Sequence, residues 1–221
     1  MIKAVLFDFD GVLTTDKTGS VSTIRSLSRQ TGLAEGALWH AFAPFNEHLL
    51  LGHTTHSAVW PEICARLGCD LDPSLLVRAF ESTPIRHDLL AYAAELGSRY
   101  ATAVITDNKA DRMSCLCEYH SLTSIFNLVL VSAEHGSGKE HTSIFQRAVE
   151  LLGVEPKQCI FVDNSERNLV APASLGINTV YFNEVADTAL SLAQVLNSRY
   201  GVAPRVTPNN SSKPTPLRGA A

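Results

Sequence analysis

Five short apolar runs recur along the chain: IKAVLFDF (2–9), YATAVIT (100–106), FNLVLVS (126–132), QCIFVD (158–163) and INTVYF (177–182). The first is apolar at nearly every position rather than at alternate ones. That is the pattern of a strand covered on both faces, as in the middle of a parallel sheet. Between the later runs the apolar spacing shifts to the helical period. HDLLAYAAELG (87–97) closes on Gly97. TSIFQRAVELLGVEP (142–156) aligns Ile144, Ala148, Leu151 and Leu152 on one face before Gly153 and Pro156 stop it. ERNLVAPASLG (166–176) reads as a helix in which Pro172 sits near a first turn or causes a kink. Strands alternating with helices predict an α/β fold: a Rossmann-like, doubly wound, mainly parallel sheet.

Residues 17–83 break this rhythm and hold no strand pattern. Leu38, Phe42, Phe45 and Leu49 recur at helical spacing, with Pro44 placed to divide the helix. Val59, Ile63 and Leu67 repeat every fourth residue beside Trp60, with Thr55 as the N-cap. Leu75, Leu76, Ala79 and Phe80 form a third stripe behind Pro73. The chain therefore divides into a Rossmann-like core of 1–16 and 84–200 and an all-helical insert of 17–83. The tail, 201–221, is expected to be disordered: four prolines fall in its last 18 residues, among Asn, Ser and Thr. Such a composition cannot bury enough apolar surface to offset its ordering entropy.

Composition narrows the function classes. The 221 residues carry a net charge of −4 and no Lys/Arg-rich run, so the electrostatic footprint of a nucleic-acid binder is missing. No apolar run nears the roughly 20 residues that span a bilayer. Strand-like sequence begins at Ile2, and no leader is expected ahead of it. The five cysteines, Cys64, Cys69, Cys115, Cys117 and Cys159, are odd in number and irregular in spacing. They read as thiols in a reducing compartment rather than as a disulfide framework or a zinc site. A cytoplasmic protein is the expectation.

The chemistry gathers where open α/β sheets bind ligands, beyond the carboxyl ends of the strands. Asp8, Asp10 and Gly11 follow the first run, and Thr106, Asp107 and Asn108 the second. Lys139 lies past the third, in GSGKEHTSIF, and Asp163 and Asn164 end the fourth. On an extended chain Asp8 and Asp10 point to the same side. Two carboxylates about 4 Å apart repel by roughly 4 kcal/mol at an effective dielectric near 20. A divalent cation among the oxygens relieves this, and so does one acid that keeps its proton. Oxygen ligands without His or Cys favour magnesium over zinc. An added ammonium (Lys139) and hydroxyl (Thr106) suit a phosphoryl group. One Asp could then attack phosphorus and the other protonate the leaving oxygen.

DFDGVLT, the Thr of VITDN, the Lys of GSGKEHTSIF and IFVDNSERN, in that order, resemble the motifs of the haloacid dehalogenase-like hydrolase superfamily. The resemblance spans about residues 2–197. It implies a Rossmann-like core and magnesium-dependent aspartyl-phosphate chemistry on a small phosphorylated metabolite. It makes Asp8 the nucleophile and Asp10 the general acid/base. Thr106, with Asp107 and Asn108 beside it, falls in the phosphate-binding segment, and Lys139 neutralises charge. Asp8, Asp163 and the backbone carbonyl of Asp10 hold the metal, with Asn164 behind them. GHTTHSAVWPEICARLG (52–68) is similar to the helical cap of the subgroup whose insert follows the first motif.

Three positions depart from the pattern. Asn164 stands where many relatives carry an acid. Asp107 adds a charge that is expected to turn away from the phosphate. Glu140 replaces the usual proline after the lysine. Asp10 favours phosphoryl transfer over carbon–halogen cleavage. Phosphotransfer within a sugar phosphate, a non-catalytic ligand-binding protein and a receiver-type phosphoacceptor domain are the other readings. In the insert, His53 and His56 read as packing or surface histidines. Asn46, Glu47 and His48 are candidates to face the site, and Asn168 is either a surface residue or a loop brace.

Overall fold

The computed structural model describes residues 1–204. The expectation for the tail falls, from residue 205 onward, outside the described residues. The five apolar runs form five strands: β1 (Ala4–Phe7), β2 (Ala101–Thr106), β3 (Leu128–Val131), β4 (Cys159–Asp163) and β5 (Asn178–Tyr181). All pair in parallel, in the order β3-β2-β1-β4-β5. The central strand β1 is buried at all four positions, as its unbroken apolar pattern requires. Its residues divide by parity. Val5 and Phe7 face Leu89, Leu96, Met113 and Leu196, while Ala4 and Leu6 face Ile144, Phe145 and Ala148. The helices supplying these layers are α6 (His87–Leu96), α7 (Ala110–Tyr119) and α11 (Ala189–Tyr200) on one face, and α9 (Ser143–Leu152) on the other; a single turn, α8 (Ser132–His135), follows β3.

Helices α1 (Gly19–Thr31), α2 (Glu35–Phe42), α3 (Asn46–Leu50), α4 (His56–Leu67) and α5 (Ser74–Glu81) lie between β1 and β2 in the chain. They bury a core of their own around Ile24, Leu27, Leu38, Trp60, Ile63 and Phe80. Pro44 divides the first stripe: α2 ends at Phe42 and a 3-10 turn, Ala43–Phe45, leads into α3. Thr55 caps α4, its Oγ1 accepting from the Ala58 N–H at 3.3 Å. Two adjacent linkers join this helical unit to the sheet. Thr14 and Ile85 form an antiparallel bridge, and the Arg86 N–H donates to the Leu13 carbonyl at 2.9 Å.

Two details differ from the sequence reading. On α9 the buried face is Ile144, Phe145 and Ala148, while Leu151 is 47 % exposed. Pro172 lies in the last turn of α10 (Glu166–Ser174), not near its first. Among the described residues no helix is long and apolar enough to cross a membrane.

Candidate active site

The chain leaves β1 toward one side of the sheet for β2 and β3, then crosses to the other for β4 and β5. The carboxyl ends of β1 and β4 are thus a switch point, where an open sheet leaves a crevice. Register places Phe7 opposite Val162, and the Asp8 N–H donates to the Val162 carbonyl at 2.8 Å. Asp8 and Asp163 are therefore neighbours by construction. Lys139 reaches between them, with Nζ 2.7 Å from Asp8 Oδ1 and 2.7 Å from Asp163 Oδ2. All three are buried. Burial works against the Lys139 charge, but Asp8 and Asp163 outweigh it and hold its pKa above the usual lysine range. Burial pushes Asp8 up to about 8 against the pull of Lys139, with Asp163 and Asp10 adding to the rise.

Asp8 and Asp10 do not meet as residues i and i+2 of a strand. β1 ends at Phe7, and residues Phe9–Leu13 make a wide turn through Gly11, whose φ is +84°. A side chain at Gly11 would be strained there, and its Cβ would lie 2.2 Å from Asn164 Nδ2. The turn lets both acids line one cleft of about 450 Å³, but gives them different partners. Asp10 is gripped by Arg112 of α7. Nη1 donates to Oδ2 at 2.9 Å and Nη2 to Oδ1 at 3.0 Å, and Asn108 Nδ2 adds a third bond to Oδ2 at 2.8 Å. A carboxylate held this way is an acceptor only. The like charges foreseen from sequence are thus offset by Lys139 on one acid and Arg112 on the other.

The second motif divides its work. Thr106 ends β2 and is buried, its hydroxyl 3.4 Å from Asn108 Nδ2 and behind the cleft wall. Asn108 braces Asp10, and its Oδ1 accepts from Arg112 Nη1 at 3.0 Å. Asp107 lines the cleft instead of turning away. Its Oδ1 accepts the Lys139 backbone N–H at 2.9 Å and so ties down the lysine loop. Burial raises its pKa, partly opposed by Lys139. Asn164 lines the cleft against Gly11. Asn168 is a loop brace, with Nδ2 3.2 Å from each oxygen of Asp163.

From the helical unit, Asn46 lines the cleft together with Trp39, Leu50, Gly19 and Ser20; Glu47 and His48 do not. His56 is buried between Phe42 and Phe80, and its Nδ1 lies 2.8 Å from Asp111 Oδ1. Sequence reasoning missed two basic residues, Lys109 and Arg112. Lys109 follows the second motif directly, and Arg112 stands four residues after Asn108, one helical turn on. Gly19 admits the guanidinium: a Cβ there would come within 2.2 Å of Arg112 Cζ. Among the described residues Lys109 Nζ makes one hydrogen bond, to Ser20 Oγ at 2.9 Å, and no ion pair.

Among the described residues no three His, Cys, Asp or Glu side chains form a ready ion cage. The fit of a cation rests instead on hard oxygens from Asp8 and Asp163 with a backbone carbonyl, the donor type magnesium takes.

The family description "haloacid dehalogenase-like hydrolase" matches residues 2–176. Rat bifunctional epoxide hydrolase 2 (Rattus norvegicus) is 23% identical over 227 residues, covering 94% of this chain and 41% of that protein. The pig protein of the same name (Sus scrofa) is 25% identical, and the chain covers 38% of it. The chain thus spans less than half the length of these curated relatives. Among solved structures, a HAD family enzyme from Bacteroides thetaiotaomicron in complex with magnesium and inorganic phosphate superposes with a TM-score of 0.69. It is 21% identical and covers 85% of this chain and 97% of its own. A HAD phosphatase from Thermococcus onnurineus superposes with a TM-score of 0.62 at 22% identity, over 88% of this chain and 98% of its own.

Proposed function

Since the chain belongs to the haloacid dehalogenase-like hydrolase family, we propose that it hydrolyses a small phosphate monoester with magnesium, through an aspartyl-phosphate on Asp8. The observation that carries this reading is the buried Asp8–Lys139–Asp163 arrangement at the switch point, with Lys139 Nζ at 2.7 Å from both carboxylates. One ammonium placed there can neutralise the nucleophile's surroundings and a bound phosphoryl oxygen together.

Asp8 Oδ1 accepts from the Phe9 N–H and from Lys139, both at 2.7 Å. That fixes the carboxylate and leaves Oδ2 to attack phosphorus. The ester P–O bond breaks as the Asp8 O–P bond forms, and the departing alkoxide takes a proton from Asp10. Asp10 then accepts a proton from water as the water attacks phospho-Asp8, which releases phosphate and restores both acids. To donate, Asp10 gives up Arg112 and carries a proton. Asp107 keeps Lys139 in place through its backbone N–H. Asp8, Asp163 and the Asp10 carbonyl would hold magnesium, with Asn164 behind them; when bound it offsets their charge and polarises the phosphoryl group. The helical unit acts as a cap, and its Asn46, Trp39 and Ser20 close the cleft over the substrate.

Phosphate release from p-nitrophenyl phosphate with magnesium tests this. Asp8→Asn is expected to fall below a few per cent of wild type with an unchanged circular dichroism spectrum. Activity well above that level in a folded variant rules out Asp8 as the nucleophile.

A further inference from the structure

Beside the catalytic cleft lies a second cavity of about 220 Å³, between the helical unit and α7. The two share Gly19, Ser20, Trp39, Asn46 and Lys109 in their walls and so adjoin, the cleft as a polar half and the cavity as an apolar half. Ile24, Trp39, Phe42 and Leu49 wall the apolar half. An engineered apolar cavity of about 150 Å³ takes benzene, so this space admits a substituted ring or a branched chain of similar bulk. A hexose would bring several hydroxyls against Ile24, Trp39, Phe42 and Leu49, with fewer neutral polar side chains in the wall (Ser20, Thr23, Asn46 and His56) than it has groups to satisfy.

At the junction of the two halves lies a surplus of positive charge. Lys109 is 8 % exposed and has Ser20 Oγ as its one hydrogen-bond partner among the described residues. Arg112 lines the same cavity, and its buried Nε has no partner. The nearest carboxylates are committed elsewhere, Asp10 to Arg112 and Asp111 to His56. A buried cation with one neutral partner is costly, and an anion arriving beside it removes that cost. Burial, and then Arg112, push the Lys109 pKa down to about 8, consistent with this want of a counter-charge.

Resting on the phosphatase reading, we propose that the substrate is the phosphate ester of a compact apolar hydroxy acid: its ring or branched body fills the cavity, and its carboxylate, beside the phosphorylated carbon, is received by Lys109. Lys109 is thereby a specificity-determining residue, and the sugar-phosphate alternative is disfavoured.

The test compares benzyl phosphate, 3-phenyl-2-phosphooxypropanoate and glucose 6-phosphate, each with magnesium. We expect kcat/KM for the carboxylated ester to exceed that for benzyl phosphate at least tenfold, with glucose 6-phosphate the slowest. Lys109→Met should lower the carboxylated ester at least tenfold more than benzyl phosphate, and Lys109→Arg should keep most of the preference. Equal rates across the panel, a preference for the hexose, or a carboxylate preference that survives Lys109→Met overturns the inference. Calorimetry with the phosphate-free 2-hydroxy-3-phenylpropanoate separates this failure from failure of the phosphatase reading. Wild type should bind it at least tenfold more tightly than Lys109→Met. Equal binding by the two, with turnover of p-nitrophenyl phosphate intact, sinks the specificity claim alone. Tight, Lys109-dependent binding without hydrolysis of any ester sinks the phosphatase reading and leaves the pocket assignment standing.

Discussion

A lysine kept for a ligand should destabilise the protein that carries it, and Lys109→Met measures by how much. Its ammonium is buried, bonded to Ser20, and faced by Arg112, Asp10 and Asp111. The folded-state pKa is about 8 against 10.5 for a free lysine. At about 1.4 kcal/mol per pH unit, holding the charged form in the fold costs about 3 kcal/mol. The unfolded chain therefore binds more protons between pH 8 and 10.5, so stability rises with pH across that window, and below it the whole cost is present. Methionine removes the charge and fits against Ile24 and Phe42, while losing one hydrogen bond worth about 1 kcal/mol. The net expectation at pH 7 is a gain of about 2 kcal/mol, or about 4–8 °C in Tm for a chain of this size. Thermal unfolding followed by circular dichroism at pH 7 and pH 10 reads both the gain and its decline. A variant that melts at or below wild type at pH 7, or whose advantage is the same at both pH values, refutes the claim that Lys109 is an uncompensated charge.

Asp10→Asn should slow esters with poor leaving groups by about 10²–10⁴ and p-nitrophenyl phosphate far less; equal losses across a leaving-group series contradict the acid role. Arg112→Met leaves Asp10 buried without its cation, which typically costs about 3–5 kcal/mol. At about 2–4 °C per kcal/mol the melting temperature should fall by about 6–20 °C. A variant as stable as wild type would show that the paired geometry contributes nothing to the fold.

Much of the fold was legible because the sheet imposes a one-dimensional rule. A strand buried on both faces is apolar at most positions, and β1, Ala103–Ile105 of β2 and Cys159–Val162 of β4 declare themselves that way. The stripes around Leu38, Trp60 and Phe80 revealed the helical unit for the same reason. Helices α1, α7 and α11 went unread. GSVSTIRSLSRQT, the α1 sequence, is rich in Ser and Thr, and it buries Ser22, Thr23 and Ser26 beside Ile24 and Leu27. Small hydroxyls bury without the apolar period that would announce them. On α7 the side chain that matters most is charged: Arg112 is the largest of the fully buried side chains and breaks the expected stripe.

The site divides along the same line. Asp8 and Asp163 follow from topology, since parallel neighbours end side by side, while Lys139 reaches them from the loop before α9. What surrounds them does not. Asp10 lies two residues after Asp8, yet Gly11 sends the chain into a turn and Gly19 opens room for a guanidinium, so its charge is matched from α7. Lys109 looks like any helix-entry lysine in sequence; only the packing of the helical unit over α7 buries it and leaves it nearly alone. The proposed phosphoryl-transfer chemistry rests on Asp8 and Asp163, which the sheet fixes, and on Lys139 from the loop before α9. The proposed substrate choice rests on where a separate helical unit meets that sheet, which buries an ordinary surface residue type with Ser20 as its one hydrogen-bond partner among the described residues.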